Sequence, residues 1–202
     1  MTVIDENMDA AMQPEGRHLD AASLFRDHAK YVANFLARLG VREPQVDDLV
    51  QEVFLVAHRR GGFVDTGIAR PTTWLAAIAL RVCSAERRSQ RRNRLLPGND
   101  QIDAAPSSNS CPIRATEASE SIRNVQRVLE QMDPNSRDVF VLYELENEPC
   151  AAIAEVFNIP VGTVYSRLHH ARKTFSTLYK LSQRPRSSHY RIPRTKTARA
   201  TT

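Results

Sequence analysis

In the stretch "QVDDLVQEVFLVAHRR", the residues Val46, Leu49, Val50, Val53, Phe54 and Ala57 fall at i, i+3, i+4, i+7, i+8 and i+11. That spacing lines one face of an α-helix and no face of a strand. The same period recurs in "LFRDHAKYVANFLARLG", where Leu24, Phe25, Tyr31, Val32, Phe35, Leu36 and Leu39 form one face before Gly40 ends the helix. A third stripe of Trp74, Leu75, Ile78, Ala79 and Val82 begins at Pro71, whose missing N–H goes unneeded in a first helical turn. No strand-like alternation is long enough to build a sheet, so the expected fold class is all-α.

Periodicity stops at Leu95. The segment "LLPGNDQIDAAPSSNSCPIRATEASES" is rich in Pro, Ser, Asn and Asp, a composition that cannot bury a core, and it is expected to act as a linker over 95–117. Helical pattern resumes with Ile122, Val125, Val128, Leu129 and Met132, and "DPNSRDVFVLYEL" opens with Asp133 as N-cap and Pro134 behind it. Pro149 starts "PCAAIAEVFN", and a tight turn at Asn158 to Pro160 leads into "VGTVYSRLHHARKTF". A short helix, a three-residue turn and a second helix make a helix-turn-helix pattern. The expected organisation is two small helical domains, 19–94 and 118–181, joined by a flexible linker. An acidic tail (1–18) and a basic tail (182–202) are expected to be disordered.

At about 100° per residue, Val164, Leu168, Ala171 and Phe175 share the packing side of the second helix. The far side carries Gly162, Thr163, Ser166, His169, His170 and Lys173, with Tyr165, Arg167 and Arg172 on its flanks. Such a helix fits the major groove, about 12 Å wide. Ser166, His169 and His170 can reach base edges, while Thr163, Arg167, Arg172 and Lys173 suit phosphates. Arg81, Arg87, Arg88, Arg91, Arg92 and Arg94 crowd around a single Glu86, either a phosphate-binding cluster or a solvated helix end. On the polar side of the 46–57 helix, Asp48, Gln51, Glu52 and Arg59 surround Leu55. One exposed leucine is commonplace, but an acidic patch with a central apolar contact also suits a basic helical partner.

Charge and composition narrow the class further. The net charge is +5, yet the residues after Lys180 carry six basic side chains and no acid, leaving −1 for residues 1–180. The tail is expected to add salt-dependent, sequence-independent attraction to DNA. No run approaches the roughly 18 apolar residues of a membrane span, and the acidic start lacks the apolar core of a secretory signal. No membrane insertion is expected, and a cytoplasmic location follows. Cys83, Cys111 and Cys150 lack CxxC pairing, so neither a metal site nor a disulfide framework is expected. Without GxxxxGK[ST], HExxH or GxSxG, nothing suggests an enzyme or a cofactor.

Two blocks together resemble a known family. "DDLVQEVFLVAHRR" is similar to region 2.2, "TTWLAAIAL" to the start of region 2.4, and "AAIAEVFNIPVGTVYSRLHHARK" to region 4.2 of the extracytoplasmic-function (ECF) sigma factors, the smallest members of the sigma-70 superfamily. The resemblance covers about 19–94 and 118–181. It implies a non-enzymatic subunit that binds core RNA polymerase and directs promoter recognition and melting. Asp48, Gln51, Glu52 and Leu55 would contact the clamp helices of the beta-prime subunit, and the second domain the beta flap. Phe63, Arg81, Arg87, Arg88, Arg91 and Arg92 would serve the minus-10 element, with Phe63 near an unstacked base or else in the core. Thr163, Tyr165, Ser166, Arg167, His169, His170, Arg172 and Lys173 would serve the minus-35 element. An anti-sigma factor is a further partner the resemblance implies. The chain departs from the family at Arg81, often Asn there, at Tyr165 and His170, often Arg or Lys, and in a longer loop between Phe63 and Trp74. The alternative is a DNA-binding regulator that uses only its helix-turn-helix and is not a sigma factor.

Overall fold

The computed structural model describes residues 17–94 and 118–183, and the expectations for both tails and for the linker at 95–117 fall almost wholly outside them. Seven α-helices are found among these residues: α1 (Ala21–Arg38), α2 (Glu43–Arg59), α3 (Pro71–Arg94), α4 (Ala118–Gln131), α5 (Pro134–Phe140), α6 (Cys150–Phe157) and α7 (Val161–Ser182). A π-helical turn, Val141–Leu145, extends α5. The fold is all-α apart from one feature that the sequence pattern does not disclose. Strands β1 (His18–Leu19) and β2 (Phe63–Val64) pair antiparallel, with His18 opposite Val64 and Leu19 opposite Phe63. Two residues per strand are too few for alternation to register.

The stripes pack as their period requires. All six apolar positions of α2, from Val46 to Ala57, are buried, as are Leu24, Val32, Phe35 and Leu36 of α1. Phe25 departs from its stripe, lying half exposed edge-on against Phe54, ring centroids 5.0 Å apart. Local chemistry fixes the helix ends. Asp20 caps α1 by accepting the Ser23 N–H at 2.8 Å, and Gly40 follows that helix at φ +86°, a backbone region that favours glycine. Gly62 has φ +91°, and a Cβ there would run into the Leu19 carbonyl oxygen, so the β1–β2 pairing requires glycine.

The helices form two modules, α1–α3 and α4–α7, which pack on each other through α3. From Leu75 to Leu80 every residue of α3 is buried. Helices α1 and α2 cover one side, and α5, the π turn and α6 cover the other. A helix apolar around its circumference belongs in a core. The expected stripe of Trp74, Leu75, Ile78, Ala79 and Val82 is therefore only part of what α3 buries.

Candidate nucleic-acid interface

The helix-turn-helix is built by backbone geometry at one residue. Asn158 adopts φ +52° and ψ +54°, the left-handed conformation that Asn tolerates better than most side chains. The next residue, Ile159, donates its N–H to the Ala154 carbonyl at 3.0 Å, closing the end of α6. Pro160 then starts α7, accepting the Thr163 N–H at 2.8 Å. Val164, Leu168 and Ala171 are buried, and Phe175 stacks on Phe140 with centroids 4.9 Å apart. With that side committed, Tyr165 (59% exposed), Ser166, His169, His170, Arg172 and Lys173 face solvent, while Thr163 and Arg167 are partly covered. Two side chains have partners already. The Ser166 hydroxyl donates to the Thr163 carbonyl at 3.0 Å, and Arg172 donates to Glu144 at 2.7 Å while lying over the Tyr143 ring.

On the first module, Asp48, Gln51 and Leu55 lie exposed along the outer face of α2, with Leu55 48% exposed between polar neighbours. Glu52 is partly covered and sits 3.5 Å from Arg59. Arg81, Arg88, Arg91 and Arg92 are exposed along α3. Arg87 is not free: it donates to the Leu39 carbonyl at 2.6 Å, which completes the end of α1, and lies 3.6 Å from Glu130. Phe63 is 4% exposed and its ring packs against Trp74 at 5.8 Å. The loop aromatic is thus a core residue that also lines a pocket of about 290 Å³ with Arg60, Gly62, Val64, Ala69, Trp74, Glu155 and Val156.

The structure brings together residues from both modules that sequence order keeps apart. Arg81 and Arg88 of α3 line one cleft of about 280 Å³ with Arg167 of α7, Asp138 of α5 and Phe157 of α6. Arg81 lies over the Phe157 ring, 5.4 Å from its centroid. Beneath the cleft, Arg137 donates to the Ser84 hydroxyl at 2.5 Å and to Asp138 at 2.8 Å, all three buried. Burial lifts the Asp138 carboxyl above its usual value, against the pull of Arg137. Burial likewise raises the thiol of Cys83. Sequence reasoning missed Arg137 and Asp138, since a charged pair in "DPNSRDVF" reads as surface. The signal that something covers α3 was the unbroken apolar run "WLAAIAL".

Comparison with known proteins gives this arrangement a family. Sigma-70 region 2 matches residues 24–93 and Sigma-70, region 4 matches residues 122–175. The RNA polymerase sigma factor NccH of Alcaligenes xylosoxydans xylosoxydans is 26% identical over 185 residues, covering 89% of this chain and 98% of that protein. The ECF RNA polymerase sigma-E factor of Escherichia coli (strain K12) is 30% identical over 154 residues, covering 70% and 77%. Among solved structures, CnrH in complex with the cytosolic domain of CnrY is 24% identical with a TM-score of 0.52, covering 80% of this chain and 88% of that one. The sigma factor RpoE in complex with the anti-sigma factor NepR from Bartonella quintana is 17% identical with a TM-score of 0.50, covering 78% and 94%. Both structures show a likeness of fold. The chain belongs to the sigma-70 family and is an RNA polymerase sigma factor of the ECF type.

Proposed function

We propose that residues 19–94 engage core RNA polymerase and the minus-10 element, and that residues 118–181 engage the minus-35 element. The observation that carries the polymerase assignment is Leu55, held half exposed on α2 between Asp48, Gln51 and Glu52. An apolar contact ringed by acidic and polar groups matches the make-up of a small protein interface and would dock on the basic clamp helices of beta-prime. Arg81, Arg88, Arg91 and Arg92 are the phosphate contacts on α3, a set Arg87 could join only by leaving the Leu39 carbonyl and Glu130, and the Phe63–Trp74 pocket is where an unstacked base would lie. On α7, Tyr165, Ser166, His169 and His170 face the bases, while Thr163, Arg167, Arg172 and Lys173 hold the backbone. The beta flap is the partner for the second module. An anti-sigma protein is a further candidate partner, as NepR is for RpoE. The chain acts at the nucleoid without turning over a substrate. Among the described residues no helix is long and apolar enough to cross a membrane.

The test is transcription from a library of promoter fragments by core polymerase with the purified chain. Starts that depend on the chain and share two spaced motifs support the reading. Leu55→Asp is expected to weaken core binding by about 2 kcal/mol, as loss of a central interface anchor does. Binding to one motif, with no starts and no association with core, would leave a DNA-binding regulator instead.

A further inference from the structure

Arginines at the boundary between the modules fall into two groups. In the first, each has a carboxylate: Arg38 meets Glu146 at 2.9 Å, Arg70 meets Glu148 at 2.6 Å, and Arg87 meets Glu130 at 3.6 Å. The second group, Arg81 and Arg88 of α3 with Arg167 of α7, lines the cleft of about 280 Å³. Among the described residues no carboxylate forms an ion pair with any of these three. Like charges gathered without a counter-charge disfavour one another. The effect reaches Arg60, which is held below its ordinary value by burial and then by the charge of Arg81.

One carboxylate does border the cleft, and it is committed elsewhere. Asp138 Oδ1 accepts twice from Arg137, from Nε at 3.1 Å and from Nη2 at 2.8 Å, and both residues are buried. That bond balances Arg137 and leaves the cleft guanidiniums unmatched. Their placement is fixed in advance. Arg81 lies over the Phe157 ring, 5.4 Å from its centroid, and Arg88 follows it two helical turns along the same side of α3. Arg167 reaches the same space from α7, and Asn135 adds a side-chain amide.

Planar guanidiniums hold phosphate oxygens through paired N–H bonds, and groups already in position lose less freedom on binding. The cleft matches the lower end of small-molecule sites, about 300 Å³, and admits no duplex. A phosphate group carries a charge of about −1.5 to −2 at pH 7, so two linked phosphates come nearer to balancing three guanidiniums than one does. Pro134, Phe157 and Ile159 give the cleft an apolar side against which a ring can rest.

We propose that this cleft binds a diphosphate group, carried either by free pyrophosphate or by a nucleoside 5′-diphosphate. Binding there goes beyond the sigma function above and needs neither polymerase nor promoter. A bound diphosphate engages Arg81, Arg88 and Arg167, the same guanidiniums that the proposed function gives to the DNA backbone.

The test is calorimetry of the full chain, without polymerase or DNA, titrated with pyrophosphate at an ionic strength of about 0.15 M, where charges more than about 8 Å apart are largely screened. Saturable binding is expected, with orthophosphate at least about tenfold weaker. Arg81→Gln, Arg88→Gln and Arg167→Gln should each weaken it about tenfold. Arg42→Gln and Arg127→Gln remove the same charge from exposed positions that do not line the cleft, and should change it less than about twofold. Tighter binding of ADP or GDP than of pyrophosphate would mark a nucleotide as the ligand, and weaker binding would mark the free ion; either result supports the site. No saturable binding, equal affinity for orthophosphate, or equal losses from the cleft and control variants would overturn it. Circular dichroism checks that each variant folds. A second readout needs no substitution: in the unaltered chain, pyrophosphate should slow phenylglyoxal labelling of Arg81, Arg88 and Arg167 and leave that of Arg42 unchanged. Equal protection of Arg42, or none of the cleft arginines, would also overturn the site.

Discussion

The Tyr31 hydroxyl donates to Glu146 at 2.9 Å across 115 residues of sequence, joining α1 to the loop that follows the π turn. Burial, then the nearby carboxylate, pushes the phenol well above its ordinary range, so it stays a donor at any physiological pH. Tyr31→Phe removes the donor and leaves the ring in place. It is expected to lower the unfolding free energy by about 1 kcal/mol. In a double-mutant cycle with Glu146→Gln, the coupling should reach about 0.5 kcal/mol or more. Additive losses in urea unfolding would show that the two side chains act independently.

Asp133 holds the start of α5, accepting the Ser136 N–H at 3.0 Å and its hydroxyl at 3.1 Å. Asp133→Ala should cost about 1 kcal/mol, the usual value of a lost N-cap. The urea midpoint should fall while the slope stays constant, because the buried surface is unchanged. An unchanged midpoint would mean that Pro134 alone suffices to start the helix.

Asp138 predicts a pH dependence with a definite sign. Its folded carboxyl is raised above the ordinary 3.8 by burial, with Arg137 and Arg81 opposing and Asp133 adding to the rise. Between the unfolded and folded values the folded chain keeps a proton that the unfolded chain releases. The contribution of Asp138 to stability is therefore greatest below its unfolded value and declines as pH rises through its folded value. Measured from about pH 3.5 to about pH 6, the wild type should lose stability relative to Asp138→Asn as pH increases. A difference that stays constant across this range would contradict the assignment.

Cys83 offers a native reporter of module separation. It is 4% exposed, its thiol is raised by burial, and the charges acting on it include Arg137, Asp138 and Glu130 of the second module. In a chain carrying Cys111→Ser and Cys150→Ser, alkylation of Cys83 should be slow at low salt. It should quicken as salt screens the ion pairs between modules. A rate independent of salt would indicate that Cys83 is covered by its own module alone.

How much of this was legible before the structure depends on the range of each signal. The α2 stripe, the caps at Asp133 and Gly40 and the turn at Asn158 are recorded within a few residues, and the structure has them where the pattern places them. The exposed side of α7 follows from the same periodicity. The pairing of the modules is not recorded locally. Arg38, Arg70 and Arg87 carry no mark that says which glutamate they meet, and each partner lies dozens of residues away. Phe63 illustrates the limit from the other side: a loop aromatic between glycine and valine gives no sign of whether it faces a ligand or Trp74. "WLAAIAL" was the one strong hint, because a short helix segment with no polar face needs cover on every side.

Helix α3 is sheathed by elements that lie on both sides of it in the chain. Translation therefore delivers its two covers at different times: α1 and α2 leave the ribosome ahead of it, and α5 and α6 only after roughly forty to sixty further residues have been added. During that interval the side awaiting α5 and α6 meets water. Much of the Leu75–Leu80 segment is alanine (Ala76, Ala77 and Ala79), whose single methyl groups offer little for an aggregating neighbour to grip. The small side chains at Ala76, Ala77 and Ala79 thus reduce the apolar area that the half-made chain exposes while it waits for its remaining part.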